Sequence, residues 1–135
     1  MRPVPPGTKG EFVLVVGHGH LASQFKDPLL PPVFATPMMV LMMENAALNA
    51  IRPFLGQGES AVGTVVNIRH LAATPVGMRV RAEAEVVAVE GRKIAFNVRA
   101  YDEQELIGEG THERSVIDLA RFNERLRKKS ETSAR

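Results

Sequence analysis

The spacing of hydrophobic and polar residues changes twice along this chain of 135 residues. Glu11–Val16 is a short apolar run with β-branched members that stops at Gly17, and it predicts a first strand. Residues 17–35 have no period and hold Pro28, Pro31 and Pro32, which forbid a continuous helix. Nineteen residues is long for a connection in a compact domain, and long connections often bind ligands. Its apolar residues (Leu21, Phe25, Leu29, Leu30, Val33, Phe34) predict that it packs on the body. Residues 1–8 are rich in proline and predict a loosely held arm.

From Thr36 the pattern becomes helical. Thr36 is an N-cap type, and Pro37 suits the first helical position, where no N–H is needed. The helix is expected to run to about Arg52 and to end at Pro53. Met38–Met43, Ala46, Ala47, Leu48, Ala50 and Ile51 leave it almost no polar face, which predicts a buried helix.

Beyond the helix the pattern alternates. Four strands are expected over Ala61–Ala72, Met78–Val89, Lys93–Asp102 and Leu106–Ile117. Thr74–Gly77, Glu90-Gly91 and Glu103-Gln104 supply the turns. In the third strand, Met78, Val80, Ala82, Ala84, Val86 and Ala88 share one face, opposite Arg79, Arg81, Glu83 and Glu85. In the fourth, Ile94, Phe96, Val98 and Ala100 point inward. A helix over Asp118–Lys129, capped by Asp118, follows. The order predicts one α+β domain over 1–135, with five antiparallel strands curved around one long buried helix.

Composition narrows the chemistry. There is no cysteine, which excludes disulfides, thiolate metal sites and a thiol nucleophile. A pI near 9.3 suggests nucleic acid, but the charge is local. Residues 121–135 hold six basic and two acidic residues, leaving 11 basic and 13 acidic elsewhere. The body is mildly acidic and the tail reads as a solvated helix end, so no nucleic-acid partner is expected. Met38–Met43 is too short for a membrane span, and Phe12–Gly17 too short for a signal core, so a cytoplasmic chain without a membrane partner is expected.

Three polar residues stand out within this frame. Glu44 follows six apolar helical residues; an isolated buried carboxylate is costly or stays protonated, and a buried Glu with a raised pKa suits acid–base or nucleophilic chemistry; it could instead face solvent or an oligomer interface. His70 falls on the helix-facing side of the second strand with Thr64, Val66 and Ile68, as a satisfied core residue or as a titratable partner for Glu44. Thr36 is a cap or a hydroxyl on the Glu44 side of the helix, two turns away. Gly63 marks a bulge or a close backbone approach. His18 and His20 lack a third ligand nearby, so no metal is expected. Gly108-x-Gly110 opens a strand rather than a helix and is no nucleotide fingerprint.

Taken as a set, these residues resemble a known family. The pattern comprises Phe34-Ala35-Thr36-Pro37, Leu41-Met42-Met43-Glu44, Val62-Gly63-Thr64, His70, Ala73–Gly77 and Gly108–Arg114. It resembles the hot-dog-fold thioesterases, and within them the fluoroacetyl-CoA thioesterase group, over about residues 9–129. The resemblance implies a helix wrapped by a five-stranded sheet, a homodimer with a continuous ten-stranded sheet, and hydrolysis of an acyl-CoA without a cofactor. It implies Thr36, Glu44 and His70 as catalytic residues and Gly63, Phe34 and Arg114 as substrate-binding residues. The strand over Met78–Val89 is the edge expected to pair the two copies. The 17–35 loop is shorter than in the fluoroacetyl-specific enzyme, and Asn45 stands where that enzyme has Trp. Both differences favour another short or medium acyl group. The alternative is a binding module of the same fold without turnover.

Overall fold

In the computed structural model, which describes residues 1–133, the elements begin and end where the periodicity changes. They are β1 (Lys9–Val15), α1 (Ala22–Phe25), α2 (Thr36–Ile51), β2 (Glu59–His70), β3 (Arg79–Glu90), β4 (Lys93–Tyr101), β5 (Leu106–Asp118) and α3 (Leu119–Ser133). The strands form one sheet in the order β1-β3-β4-β5-β2, antiparallel at every pairing. α2 lies against one face of it, chiefly on β1 and β3.

The core sits between that helix and that face. Met39, Met42, Met43, Ala46, Ala47, Ala50 and Ile51 of α2 meet Val80, Ala82, Ala84 and Val86 of β3. Ile94, Phe96, Val98 and Ala100 of β4 complete it, as their alternation predicts. Small residues bring the layers close: a Cβ on Gly10 would collide with the Ala46 carbonyl.

Several expectations are corrected. The N-terminal arm is tied down, because Val4 enters the core and the backbone bonds Gly7 N–Val86 O and Val86 N–Thr8 O extend the β1–β3 pairing. The β3–β4 hairpin turns on Gly91-Arg92 rather than Glu90-Gly91, with Gly91 at φ +61° and Glu90 paired to Lys93. That places glycine first in a two-residue loop, where positive φ is needed. A register shift between Val86 and Ala88 turns Ala88 outward and lets Val89 pack on the core. β3 is not an edge, since β1 and β4 flank it; the edges are β1 and β2.

β2 carries its own shift, between Gly63 and Val65. Before it, Ala61 and Gly63 face the helix; after it, Val66, Ile68 and His70 do, opposite His112, Gly110 and Gly108. Thr64 is thereby turned outward, contrary to expectation. Val66 lies on the inner face yet is 43% exposed, because β2 is the last strand of the sheet. The same gap leaves α2 open on one stripe: Leu41 is 42% exposed and Glu44 is half-buried, so the helix is not apolar-covered all round.

The 17–35 segment packs only in part. Leu21 and Phe34 are buried and form a bridge to each other, whereas Phe25 and Leu29 at its tip are exposed. At the far end Asp118 Oδ1 accepts from Arg121 N at 3.0 Å and caps α3 as expected, though the helix continues a turn past Lys129. Arg135 of the basic tail lies outside the described residues.

Candidate active site

The first polar group forms where the 17–35 segment enters α2. Ala35 N donates to His20 O at 2.9 Å and Phe34 N to Thr74 O at 2.8 Å, so the chain is fixed on both sides just before Thr36. His20 Nδ1 accepts from Gly17 N at 2.9 Å and closes a local turn. Ala35, not Thr36, is the N-cap, and no side chain caps the helix. The Thr36 hydroxyl is therefore free for another partner, and its Oγ1 lies 2.7 Å from His70 Nδ1. The other ring nitrogen of His70, Nε2, is buried with no hydrogen-bond partner among the described residues. Burial pushes the His70 imidazole below its ordinary pKa, and a backbone contact at Ala72 opposes that in part. His70 is thus held neutral near pH 7, with one nitrogen oriented and one unused.

Thr36 and His70 border an open cavity of about 360 Å³, whose apolar walls include Ala22, Leu30, Val33 and Phe34. Its shape and lining suit an acyl chain entering beside a hydroxyl and an imidazole. Phe34 is 1% exposed and forms a fixed wall.

The second polar group surrounds Glu44. Glu44 Oε2 lies 3.6 Å from Arg114 Nη1, an ion pair on the inner face of the sheet. Arg114 is buried, and its Nη2 donates to Ala61 O at 2.7 Å. Within the chain both terminal nitrogens of Arg114 face protein groups, and the residue expected to contact substrate lies beside Glu44 and Gly63. Burial opposes the guanidinium charge and Glu44 supports it. Gly63 is directly across from Arg114 in the β2–β5 register. A Cβ there would stand 2.6 Å from Glu44 Oε2, so the glycine makes room for the carboxylate.

His112 is the member that sequence reasoning left without a role. Its ring is buried, stacks on Phe96 at 5.7 Å between centroids, and reaches both Val65 O and Arg114. The signal was present as two polar residues, His112 and Arg114, at the inward-facing positions of β5.

One chain therefore carries two clusters, Thr36 with His70 and Glu44 with Gly63, His112 and Arg114. Both address the inner face of β2, at His70 and at Gly63. On α2, Thr36 and Glu44 are about 12 Å apart along the axis. Glu44 forms no hydrogen bond or ion pair with Thr36 or His70 among the described residues.

Known proteins share this fold and much of this sequence. Residues 16–120 match the family model described as fluoroacetyl-CoA-specific thioesterase. The fluoroacetyl-CoA thioesterase of Streptantibioticus cattleyicolor is 47% identical over 100 residues, 74% of this chain and 72% of that protein. The solved structure of the fluoroacetyl-CoA thioesterase FlK superposes with a TM-score of 0.89 at 38% identity, covering 94% of this chain and 98% of that one. A thioesterase superfamily member from Thermus thermophilus superposes with a TM-score of 0.92 at 36% identity, covering 99% and 98%. With its five antiparallel strands packed on one long helix, the chain has the hot-dog fold and belongs to the fluoroacetyl-CoA-specific thioesterase family.

Proposed function

We propose that this protein hydrolyses a short or medium acyl-CoA, with water, to the free acid and CoA. The observation that carries the reading is the Thr36–His70 contact of 2.7 Å at the rim of an apolar cavity, with His70 Nε2 unused. Hydrolysis of a thioester needs an oxygen nucleophile, a proton carrier and donors for the developing oxyanion. Glu44 is the carboxylate that attacks the carbonyl or takes the proton of water. His70 carries the proton to and from the reacting atoms, oriented by Thr36. Backbone N–H groups near Gly63 polarise the carbonyl, and Phe34 walls the acyl group. An acyl-CoA substrate suits the cytoplasm.

The working unit in this reading is a homodimer paired through β2. Val65 and Val66 are exposed on that edge, and the open stripe of α2 lies beside it. Antiparallel pairing of β2 with its copy, centred between Val66 and Asn67, sets Gly63 opposite His70 of the partner subunit. Each active site then joins Glu44 and Gly63 of one protomer to Thr36 and His70 of the other.

The test is a panel of acyl-CoAs with a thiol reagent, which meets no protein thiol here. The parent releases CoA, and Glu44→Ala and His70→Ala each abolish most of that release. Variants as fast as the parent on every substrate would refute the assignment. Tight binding without CoA release would leave the binding module.

A further inference from the structure

We propose that His112 is a positioning residue for the Glu44 carboxylate, acting through Arg114. The inference rests on the reading of Glu44 as the reacting carboxylate.

The hydrogen bonds of His112 fix its protonation by elimination. Its Nδ1 lies 2.7 Å from Val65 O, and a carbonyl oxygen only accepts, so Nδ1 carries the hydrogen. Its Nε2 lies 3.2 Å from Arg114 Nη1, and a guanidinium only donates, so Nε2 presents a lone pair. The ring is therefore neutral and held in one tautomer. Stacking on Phe96, with 24° between the planes, fixes its tilt.

Arg114 has two anchors, His112 Nε2 and Ala61 O, on its two terminal nitrogens. Nη1, the nitrogen that donates to His112, is also the one that faces Glu44 Oε2. A guanidinium is rigid and planar, so anchoring it at both ends fixes where its charge meets the carboxylate. Without the His112 acceptor, Arg114 keeps its bond to Ala61 O and its ion pair with Glu44 but loses the anchor on Nη1, the nitrogen that meets the carboxylate. The chain thus runs from the Val65 carbonyl at the β2 shift, through His112 and Arg114, to Glu44. Gly63 leaves the space in which they meet: its missing Cβ would sit 3.2 Å from His112 Cε1 and 3.5 Å from Arg114 Nη1.

The arrangement tolerates no proton on Nε2. A charged His112 would turn a donor toward Arg114 and place two cations in contact. The charged groups facing His112 are Arg114 and Glu113 from β5 and Glu44 from α2; β2 and β4 present Gly63, Val65 and Phe96.

Three substitutions, alone and in one combination, test this on the full-length protein. His112→Phe keeps the stacking and removes the acceptor; kcat falls about ten- to hundred-fold with KM within about twofold, because the effect is on a reacting group and not on substrate binding. His112→Gln, whose amide can donate to Val65 and accept from Arg114, regains most of the loss. In a Glu44→Gln background, His112→Phe leaves the residual rate unchanged. Parent-like kcat in His112→Phe beside an inactive Glu44→Gln overturns the inference and spares the hydrolysis reading. A fully active Glu44→Gln overturns the reading of Glu44 as the reacting carboxylate, and the inference with it, while hydrolysis itself stands. An equal further loss in the Glu44→Gln background marks a merely structural role and also overturns it. Independently of how the variants fold, long-range 1H–15N spectra of the parent at pH 7.5 should show His112 neutral with its hydrogen on Nδ1; a charged ring or a hydrogen on Nε2 overturns the inference.

Discussion

Thr36 and His70 are 34 residues apart in the chain, yet Thr36 Oγ1 and His70 Nδ1 lie 2.7 Å apart. The contact joins the first residue of α2 to the last of β2. It exists because Ala35 takes the N-cap position and leaves the Thr36 hydroxyl unengaged by its own helix. A cap residue removed by mutation costs helix stability; a hydroxyl holding an imidazole costs rate when removed. The two roles are therefore separable by experiment.

Thr36→Ala is expected to lower kcat/KM by about ten- to hundred-fold through loss of imidazole orientation, with little change in melting temperature. Thr36→Ser keeps the oxygen and regains much of the rate. Steady-state kinetics and thermal denaturation of both variants check this. A drop in stability with unchanged rate would return Thr36 to a capping role.

Mixing subunits tests the shared site. Glu44→Ala and His70→Ala homodimers are each expected to be inactive. In a hybrid, one site has lost both groups and the other has kept both. Random reassortment of equal amounts restores about a quarter of the parent activity, since half the dimers are hybrids with one intact site each. Recovery is read after denaturation and refolding of the mixture. No recovery, with hybrids verified by mass spectrometry, counts against a site shared between protomers.

Gly63→Ala introduces a methyl at the point 2.6 Å from Glu44 Oε2. The flexible carboxylate end yields, so the fold survives and the Glu44–Arg114 geometry does not. A loss of kcat of about tenfold or more with near-parent stability is expected. Parent-like kinetics would show that the carboxylate position is not critical.

Acid should destabilise the fold through two imidazoles, the buried His112 and the half-buried His70. Burial lowers the pKa of both His70 and His112, so each is neutral in the folded state and more readily charged when unfolded. The unfolded chain therefore binds more protons once the pH falls below about 6.5, and stability declines from there until the folded-state values are passed. Urea midpoints between pH 7.5 and 5.5 measure the slope. His112→Gln should make it shallower.

Leu30 and Val33 line the cavity beside Thr36 and His70 without taking part in either polar cluster. Leu30→Trp is expected to shift preference toward the shortest acyl groups while leaving their kcat largely intact. The ratio of kcat/KM between acetyl-CoA and a six-carbon acyl-CoA reads this directly. An unchanged ratio would place acyl selection elsewhere.

Much of this architecture was legible in the residues. The switch from apolar helix to alternating strands set the element order, and the inward positions of β4 followed from Ile94, Phe96, Val98 and Ala100 alone. What alternation could not reveal were its interruptions. The shifts at Gly63/Val65 and Val86/Ala88 reverse parity for Thr64 and Ala88; Gly63 signalled the first, but no local signal distinguishes a bulge from a regular pair at the second. Nor could sequence reveal that β3 is interior, because neighbours in a sheet are set by pairing across the whole domain. Val4 read as part of a loose arm because its partners lie far along the chain. Among the candidate residues, Thr36, Glu44 and His70 were legible as polar exceptions in apolar settings. Arg114 and its approach to Glu44 required the β2–β5 register, and the role of His112 required the direction of its two ring nitrogens.

The root of the 17–35 segment is clamped by Ala22 N to Val33 O and Ala35 N to His20 O, while Phe25 and Leu29 at its tip hang clear of the body. Mutations can therefore accumulate at the tip without shifting the backbone that delivers Thr36. A change at Phe25 or Leu29 alters only the outer surface of the segment, whereas a change at Leu30 or Val33 alters the cavity wall, and both ride on the same clamped backbone.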